Sequence, residues 1–204
     1  MLLWQRITAG FILSSDIFGV DIDHVTPQMR YNAKAVNFGI LYGISSFGLS
    51  EDLNIDVKSA KKFIDDYLNT YPGIKDYMDG VIKEAHRLGY VKTIMNRKRV
   101  IEELNNKNYM IRSMGERMAL NTPVQGSSAD ILKKAMIEIF DKFNFLGLKS
   151  KMLIQVHDEL VFNVLEEERE TVEKIVTDIM ENTYKLSVPL KVEINEGKNW
   201  YDAK

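Results

Sequence analysis

The spacing of apolar residues predicts a chain that is mostly helical, with a few short strands. The segment from about Val57 to Thr70 is a clear case, since apolar residues recur at helical spacing behind Asp56, a good N-cap. Helices are predicted at about 27–42, 47–53, 57–70, from Pro72-Gly73 to 89, 108–121, 127–145 and 166–184. Strands are predicted at about 90–94, 152–154, 160–162 and 189–194. A short antiparallel sheet packed by helices makes the predicted class α+β.

Proline, glycine and polar clusters set the ends of several elements. Thr26-Pro27 suits the N-cap and first position of the helix at about 27–42, and Gly43 suits its end. The helix at about 108–121 is predicted to end before Pro123, because a residue that precedes proline disfavours helical geometry. Arg97–Arg99 is predicted to be the turn that follows the strand at about 90–94.

An acidic segment, Gln155–Glu159, lies between the apolar runs Met152–Ile154 and Leu160–Phe162. This pattern predicts two buried strands joined by a tight polar turn. Burial of the Asp158 and Glu159 carboxylates would be costly without compensation, and a divalent cation such as Mg²⁺ is the usual compensation. A surface hairpin with a polar turn would fit the same pattern.

On the helix at about 27–42, four side chains recur at four-residue spacing. They are Arg30, Lys34, Phe38 and Tyr42. Each step drifts by about 40° around the helix, so the four form one slanted stripe. The two cations and the two aromatic rings match the phosphates and the base of a nucleoside triphosphate. An amphipathic helix with a core-facing aromatic pair and two solvated cations would give the same spacing.

Composition limits the possible functions less than the distribution of charge does. The 204-residue chain has no cysteine, which excludes disulfides and thiolate chemistry, and its net charge is −2. The segment from Lys83 to Arg117 contains nine cations and four acids, whereas acids outnumber cations from His157 to Glu196. This asymmetry favours a surface for phosphates beside a site for cations, although a solvated basic loop remains open. No signal peptide or membrane span is expected, since Phe11–Leu13 is far too short, and we expect a cytoplasmic protein.

Taken together, these motifs resemble those of the family A DNA polymerases, the bacterial DNA polymerase I type. The nucleotide-binding helix of that family is matched in order and spacing by Arg30, Lys34, Asn37-Phe38-Gly39 and Tyr42-Gly43. The Gln-Val-His-Asp-Glu string of its palm hairpin is matched by Gln155–Glu159, and the segment between these motifs by Glu116–Gly126. The resemblance runs from about Asp16 to the C-terminus.

The resemblance implies three parts: residues 1–15, an atypical start; 16–121, a fingers-like helical lobe; and 122–204, a C-terminal part of the palm with a short antiparallel sheet. The two-metal chemistry of the family uses a second aspartate in a palm motif upstream of the nucleotide helix. The acids upstream here are Asp16, Asp21 and Asp23, and none has that context. The thumb and the first palm motif are also missing, so we expect N-terminal polymerase portions as a partner.

The resemblance also implies residue roles in template-directed transfer of dNTPs to a primer 3′-hydroxyl with two Mg²⁺ ions. Lys34 and Asp158 would be catalytic, and Asp158 would bind metal with Glu159 as a weaker ligand. The implied nucleotide-binding residues are Arg30, Lys34, Phe38 and Tyr42. The residues implied in contact with primer–template DNA are Arg117, Asn121, Gln125, Gln155 and His157.

Two alternatives belong to other functional classes. A DNA- or nucleotide-binding remnant would keep these contacts and catalyse nothing, because the second aspartate is absent. A metal-dependent phosphohydrolase built on His157-Asp158 would need several more histidine ligands, and the chain has three histidines in all. We therefore expect a polymerase fragment that is inactive, or nearly so, when isolated.

Overall fold

The computed structural model describes residues 20–203, with the backbone alone for Ile22, Arg30, Lys34 and Ala35. The predicted atypical start at residues 1–15 and the acid at Asp16 lie outside the described residues. The helices are α1 Pro27–Leu41, α2 Ser46–Leu53, α3 Val57–Thr70, α4 Pro72–Leu88, α5 Tyr109–Leu146 and α6 Arg169–Asn182. The strands are β1 Tyr90–Lys92, β2 Lys98–Val100, β3 Lys151–Val156 and β4 Glu159–Asn163. Short 3-10 helices occupy Ile22–His24, Glu102–Asn105 and Glu166–Glu168.

These elements form two compact units that divide between Ser127 and Ser128, within α5. The N-terminal unit is residues 20–127 and the C-terminal unit is residues 128–203. Helices with two separate two-stranded antiparallel sheets confirm the predicted α+β class. The domain bounds predicted at residues 121 and 122 stay a prediction. None of the helices between residues 20 and 203 is both long and apolar enough to cross a membrane.

The first helices of the N-terminal unit begin and end where their capping residues predict. Thr26 Oγ1 accepts a hydrogen bond from the Met29 amide at 3.2 Å, and Pro27 opens α1. Asp56 caps α3 by accepting the Ser59 amide at 2.9 Å, and hydrogen bonds from Ser59 lower the pKa of Asp56. The core shared by α1, α2 and α3 consists of Val36, Ile40, Leu49, Ala60 and Tyr67.

The β1–β2 hairpin turns earlier than predicted. Its turn is closed by hydrogen bonds between Thr93 and Arg97 and between Asn96 and Thr93, so the predicted turn at Arg97–Arg99 is wrong. Asn96 takes a φ of 63°, a left-handed conformation that asparagine tolerates better than most residues. Lys98 and Arg99 therefore belong to β2.

The helix break predicted before Pro123 is also wrong, since α5 continues through the proline. Proline lacks the amide that would donate to the carbonyl four residues back, which usually costs about 3 kcal/mol. Side-chain contacts with the β1–β2 hairpin support the helix on both sides of this position. Arg99 Nη1 donates to Thr122 Oγ1 at 3.1 Å, and the Ile94 amide donates to Ser127 Oγ at 2.8 Å. The spacing of residues along the chain does not reveal these contacts.

In the C-terminal unit, the β3–β4 hairpin packs one face against α5 and α6. The buried cluster there is Ile139, Phe143, Val172 and Val176, with Met152, Leu160 and Phe162 packed against it. The other face is open, because the side chains of Leu153 and Ile154 are 57% and 47% exposed. The prediction of two buried strands is therefore wrong, although the strands and their turn are present.

No strand forms at residues 189–194 within the described chain, which corrects the predicted last strand. An alternation of apolar and polar residues does not by itself supply a pairing strand. Side chains of α6 instead hold residues within and just after this segment. The Val192 amide donates to Glu181 Oε1 at 3.1 Å, and Arg169 Nε donates to Glu196 Oε1 at 2.6 Å.

Candidate functional site

The stripe predicted on α1 is partly visible in the structure. The rings of Phe38 and Tyr42 stack at the C-terminal end of α1, with 6.1 Å between centroids and 25° between planes. Both side chains are half-buried, which leaves part of each ring open to a ligand. Lys34 and Arg30 lie about one and two turns before Phe38 on the same helix, and their side chains lie outside the described atoms.

The Asn37-Phe38-Gly39 motif has a structural explanation in its contacts with neighbouring residues. Tyr67 Oη, which is buried on α3, donates a hydrogen bond to Asn37 Oδ1 at 2.5 Å. A Cβ at Gly39 would lie 3.1 Å from Ile44 Cγ2, so glycine allows the chain after α1 to fold back closely. These two contacts hold α1 on either side of Phe38. The spacing of residues along the chain gives no sign of this hydrogen bond, which joins positions thirty residues apart.

The C-terminal end of α1 packs directly against α5. Gly43 has a φ of 74°, which favours glycine, and a Cβ there would lie 3.1 Å from Arg117 Cγ and from Leu120 Cδ1. The structure thus brings the Tyr42-Gly43 end of the nucleotide-type helix beside Arg117, one of the predicted DNA-contacting residues.

Three predicted DNA-contacting residues lie on α5 at four-residue spacing, which places them on one stripe of the helix. Arg117 and Gln125 are exposed, and Asn121 between them is half-buried. The Asn121 Oδ1 atom is buried and has no hydrogen-bond partner among the described residues. The stripe thus offers one guanidinium and two amides.

The acidic turn of the β3–β4 hairpin projects its polar side chains outward. His157 and Asp158 form a two-residue turn, and the exposed Glu159 begins β4. His157 has a φ of 53°, a conformation uncommon outside glycine and found often at functional sites. Gln155 Nε2 donates to the His157 carbonyl at 2.5 Å, which supports the turn from within.

Comparison with known proteins decides the family. The model of DNA polymerase family A matches residues 12–202. The chain belongs to this family. It is 53% identical over 189 residues to DNA polymerase I of Bacillus subtilis, and 49% identical over 191 residues to that of Caldicellulosiruptor bescii. These matches cover 93% and 94% of the chain and 22% of each relative, so the chain spans about a fifth of their length.

A solved structure shows the same fold as this family A chain. It is the POL domain of Pol1 from M. smegmatis, in complex with DNA primer-template and dNTP. The similarity has a TM-score of 0.90 and 41% sequence identity. It covers 95% of this chain and 34% of that one. The likeness therefore extends over both compact units of the chain.

The carboxylates of the acidic turn suit a hard cation, as expected where the family generally uses divalent metal ions. Asp158 and Glu159 supply oxygen ligands, and their exposure leaves room for water and phosphate in the remaining positions of Mg²⁺. Within residues 20–203, no group of three or more His, Asp or Glu side chains is arranged to hold a metal. The donor set therefore fits part of a coordination sphere.

Two arginines of the basic segment Lys83–Arg117 bind other parts of the chain, which their spacing in the sequence does not show. Arg97 Nη2 donates to the Gly126 carbonyl at 3.2 Å, and Arg99 contacts Thr122 and Met118 on α5. These two arginines fasten the β1–β2 hairpin to the helix that carries Asn121 and Gln125. The close approach depends on glycine, because a Cβ at Gly126 would lie 2.7 Å from Thr93 Cγ2.

Proposed function

We propose that this chain is the nucleotide- and DNA-contacting part of a template-directed DNA polymerase that adds dNTPs to a primer 3′-hydroxyl. The observation that carries the proposal is the Phe38–Tyr42 stack on α1, at the end where Gly43 packs on Arg117. The complex of the M. smegmatis relative with primer-template and dNTP supports it. Family membership favours this function over that of a phosphohydrolase.

On α1, Arg30 and Lys34 bind the triphosphate, because guanidinium and ammonium groups pair strongly with phosphate oxygens. Lys34 also donates a proton to the leaving pyrophosphate as its negative charge develops. Phe38 and Tyr42 bind the sugar and the base against their half-buried rings, with Tyr42 nearer the template. The Tyr67–Asn37 hydrogen bond fixes the rotation of α1 and so orients these side chains.

Arg117, Asn121 and Gln125 contact the primer–template duplex from α5. Every base pair presents an acceptor in the minor groove, so donors there detect pairing without distinguishing sequence. Gln155 and His157 contact DNA from the β3–β4 hairpin. His157 is exposed at the turn of this hairpin.

Asp158 contributes one carboxylate ligand to Mg²⁺, and Glu159 contributes a weaker one. When bound, Mg²⁺ supplies positive charge that stabilises the phosphoryl oxygens during nucleotidyl transfer. Further ligands come from outside the described residues, in N-terminal polymerase portions such as the first palm motif. We therefore propose that the isolated chain binds dNTP and DNA but extends primers little or not at all.

Primer extension tests this proposal. The purified 204-residue chain is incubated with a primed template, Mg²⁺ and four dNTPs, beside the Asp158→Ala variant. We expect negligible extension by both, with DNA binding and dNTP binding still detectable. Extension that Asp158→Ala abolishes would overturn the claim of inactivity. Loss of both binding activities in the parent chain would overturn the proposed function itself.

A second test isolates the role of α1. Lys34→Ala should weaken dNTP binding more than Lys58→Ala does, because Lys58 lies on α3, outside the α1 stripe. Each variant removes one lysine from the same compact unit, so the change in overall charge is matched. Equal losses of dNTP affinity in both variants would count against the assignment of α1.

A further inference from the structure

The outward face of the β1–β2 hairpin carries a pair of like charges. In the strand register, Tyr90 pairs with Val100 and Lys92 pairs with Lys98, so all four side chains share one face. Two lysines directly opposite each other on a sheet repel and destabilise it. The Tyr90 ring on this face attracts the ammonium groups but carries no formal negative charge, so it offsets the repulsion only in part. The pair therefore favours an anionic ligand that lies over this face of the hairpin.

The two lysine ammonium groups lie beside the same aromatic ring. Lys98 Nζ lies 4.8 Å from the centroid of the Tyr90 ring and Lys92 Nζ lies 6.0 Å from it. Both cations thus converge on one ring. Neither lysine forms an ion pair with any of the described acidic residues. Both lysine side chains are flexible, so their ammonium groups can close on one phosphate.

The hairpin that carries this face is itself positive, and the first acids after it along the chain are Glu102 and Glu103. The twelve residues from Tyr90 to Ile101 include Lys92, Arg97, Lys98 and Arg99, and no acid. Before the hairpin, the carboxylate of Glu84 is engaged by Arg87, with a nitrogen-to-oxygen distance of 2.8 Å. Val100 is 69% exposed on the same face. A cationic surface with accessible apolar and aromatic groups is typical of nucleic-acid contacts.

The hairpin is held firmly on the helix that carries the proposed DNA stripe. The Ile94 amide, Arg97 and Arg99 donate hydrogen bonds to Ser127, Gly126 and Thr122 of α5, respectively. Thr122 and Gly126 each follow a stripe residue, Asn121 and Gln125, by one position, or about 100° around the helix. The lysine face therefore belongs to an element that is anchored beside the proposed DNA-contacting residues.

We propose that this face, Tyr90, Lys92, Lys98 and Val100, binds the phosphate backbone of DNA as an additional contact outside the nucleotide-binding helix and the α5 stripe. The inference rests on the proposed function, namely that the chain binds DNA. The ligand chemistry is a phosphodiester between the two ammonium groups, which replaces their mutual repulsion with two attractive pairs. Single strands and duplexes both present this chemistry.

The salt dependence of DNA binding tests the face directly. Fluorescence anisotropy measures the affinity of the full chain for a single-stranded oligonucleotide and for a duplex between about 50 and 200 mM KCl. Each lost phosphate contact lowers the slope of log affinity against log salt by about 0.9 on duplex DNA and about 0.7 on single strands. For Lys92→Gln/Lys98→Gln, which removes one shared phosphate contact, the affinity advantage of the parent chain should therefore shrink roughly threefold over that salt range.

Two further variants serve as controls. Lys61→Gln/Lys62→Gln removes the same charge from α3, where Asp65 and Asp66 pair with these lysines, and should leave the slope unchanged. Lys92→Arg/Lys98→Arg should keep the parent slope. The thermal midpoint of the glutamine variant should not fall, because the substitution removes a like-charge pair.

Each outcome has a distinct meaning. A reduced slope on the single strand alone, on the duplex alone or on both supports the proposal and identifies the form of DNA that occupies the face. An unchanged slope on both, while the parent chain binds DNA, overturns this inference and leaves the proposed function standing. An equal change in the α3 control also overturns it. If the parent chain binds neither oligonucleotide at low salt, the proposed function fails as well.

Discussion

The two motifs that mark the family, on α1 and on the β3–β4 hairpin, differ in how far the chain itself supports them. On α1, Asn37 is bonded to the buried Tyr67, and Gly43 packs against Arg117. At the tip of the hairpin, His157 and Asp158 are exposed, and one hydrogen bond from Gln155 supports the turn. Contacts within the N-terminal unit thus hold the nucleotide-type helix in place. The acidic turn is supported by one hydrogen bond and by the one packed face of its hairpin.

This difference matters because a catalytic or binding group contributes most when its surroundings hold it in place. The α1 side chains stand on a helix with a packed core beneath them. Asp158 stands on a hairpin whose second face, at Leu153 and Ile154, is open. The comparison therefore predicts that the two regions respond differently to mutation.

The largest contrast should come from truncating apolar side chains in the two regions. Ile40 is 2% exposed in the α1–α3 core, so Ile40→Ala should lower the free energy of unfolding by about 2–5 kcal/mol through lost contacts and a residual cavity. Leu153→Ala on the open face of the hairpin should change it by less than about 0.5 kcal/mol. Urea denaturation followed by circular dichroism measures both.

Similar losses in the two variants would mean that both regions are equally well packed. A large cost at Leu153 would mean that the outer face of the hairpin is covered in solution, by a second copy of the chain or by residues outside the described range. The dependence of the Leu153→Ala effect on protein concentration separates these cases, because a contact between two copies weakens on dilution.

A medium effect should follow from removing one hydroxyl that supports the α1 motif. Tyr67→Phe leaves Asn37 Oδ1 without its donor and should cost about 1–2 kcal/mol of unfolding free energy. Tyr31→Phe, on the exposed side of α1, serves as the matched control and should be nearly neutral. If the two variants have equal stability, the Tyr67–Asn37 bond does not hold α1 in place.

The buried phenol of Tyr67 also predicts that the free energy of unfolding falls at alkaline pH. Burial, with a further contribution from Tyr71, raises the pKa of Tyr67 above its usual 10.0. The unfolded chain then loses its proton first, so this contribution to stability is complete below pH 10 and declines as the pH rises through the folded pKa. Unfolding free energies measured across this range should fall less steeply in Tyr67→Phe, and an identical pH dependence in both proteins would contradict the prediction.

How well the sequence predicts the structure depends on whether an element is determined locally. Thr26, Pro27, Asp56 and Gly43 act on their own neighbours, and the bounds of α1 and α3 follow from them. The helix through Pro123 could not be predicted, because its support comes from the β1–β2 hairpin, nearly thirty residues away for the Arg97–Gly126 bond.

The same distinction applies to the candidate site. The sequence predicts the α1 stripe and the acidic turn, because each is a short segment whose spacing is visible along the chain. It predicts burial of the hairpin wrongly, since apolar runs such as Met152–Ile154 do not show which face has a packing partner. The Tyr67–Asn37 bond spans thirty residues, and nothing in the pattern pairs these two side chains.

The smallest effect should come from the base of the β3–β4 hairpin, which the chain holds better than its tip. The Glu168 carboxylate accepts hydrogen bonds from the amides of Lys149 and Ser150, at 2.9 Å and 2.8 Å, directly before β3. The Lys149 amide, then Ser150 and the Lys149 charge lower the pKa of Glu168 below its usual 4.5. This contribution to stability is therefore present above that pH and is lost as the pH falls through the folded pKa.

In Glu168→Gln the free energy of unfolding should accordingly fall less as the pH is lowered. At neutral pH it should change little, through the weakening of the two amide contacts. Glu167→Gln, one residue earlier and exposed, removes the same charge and should keep the acid dependence of the parent chain. Acid titration of the unfolding free energy compares the three proteins. A parent-like titration in Glu168→Gln would mean that the base of the hairpin is no better held than its tip. The contrast with α1 would then apply to the whole hairpin.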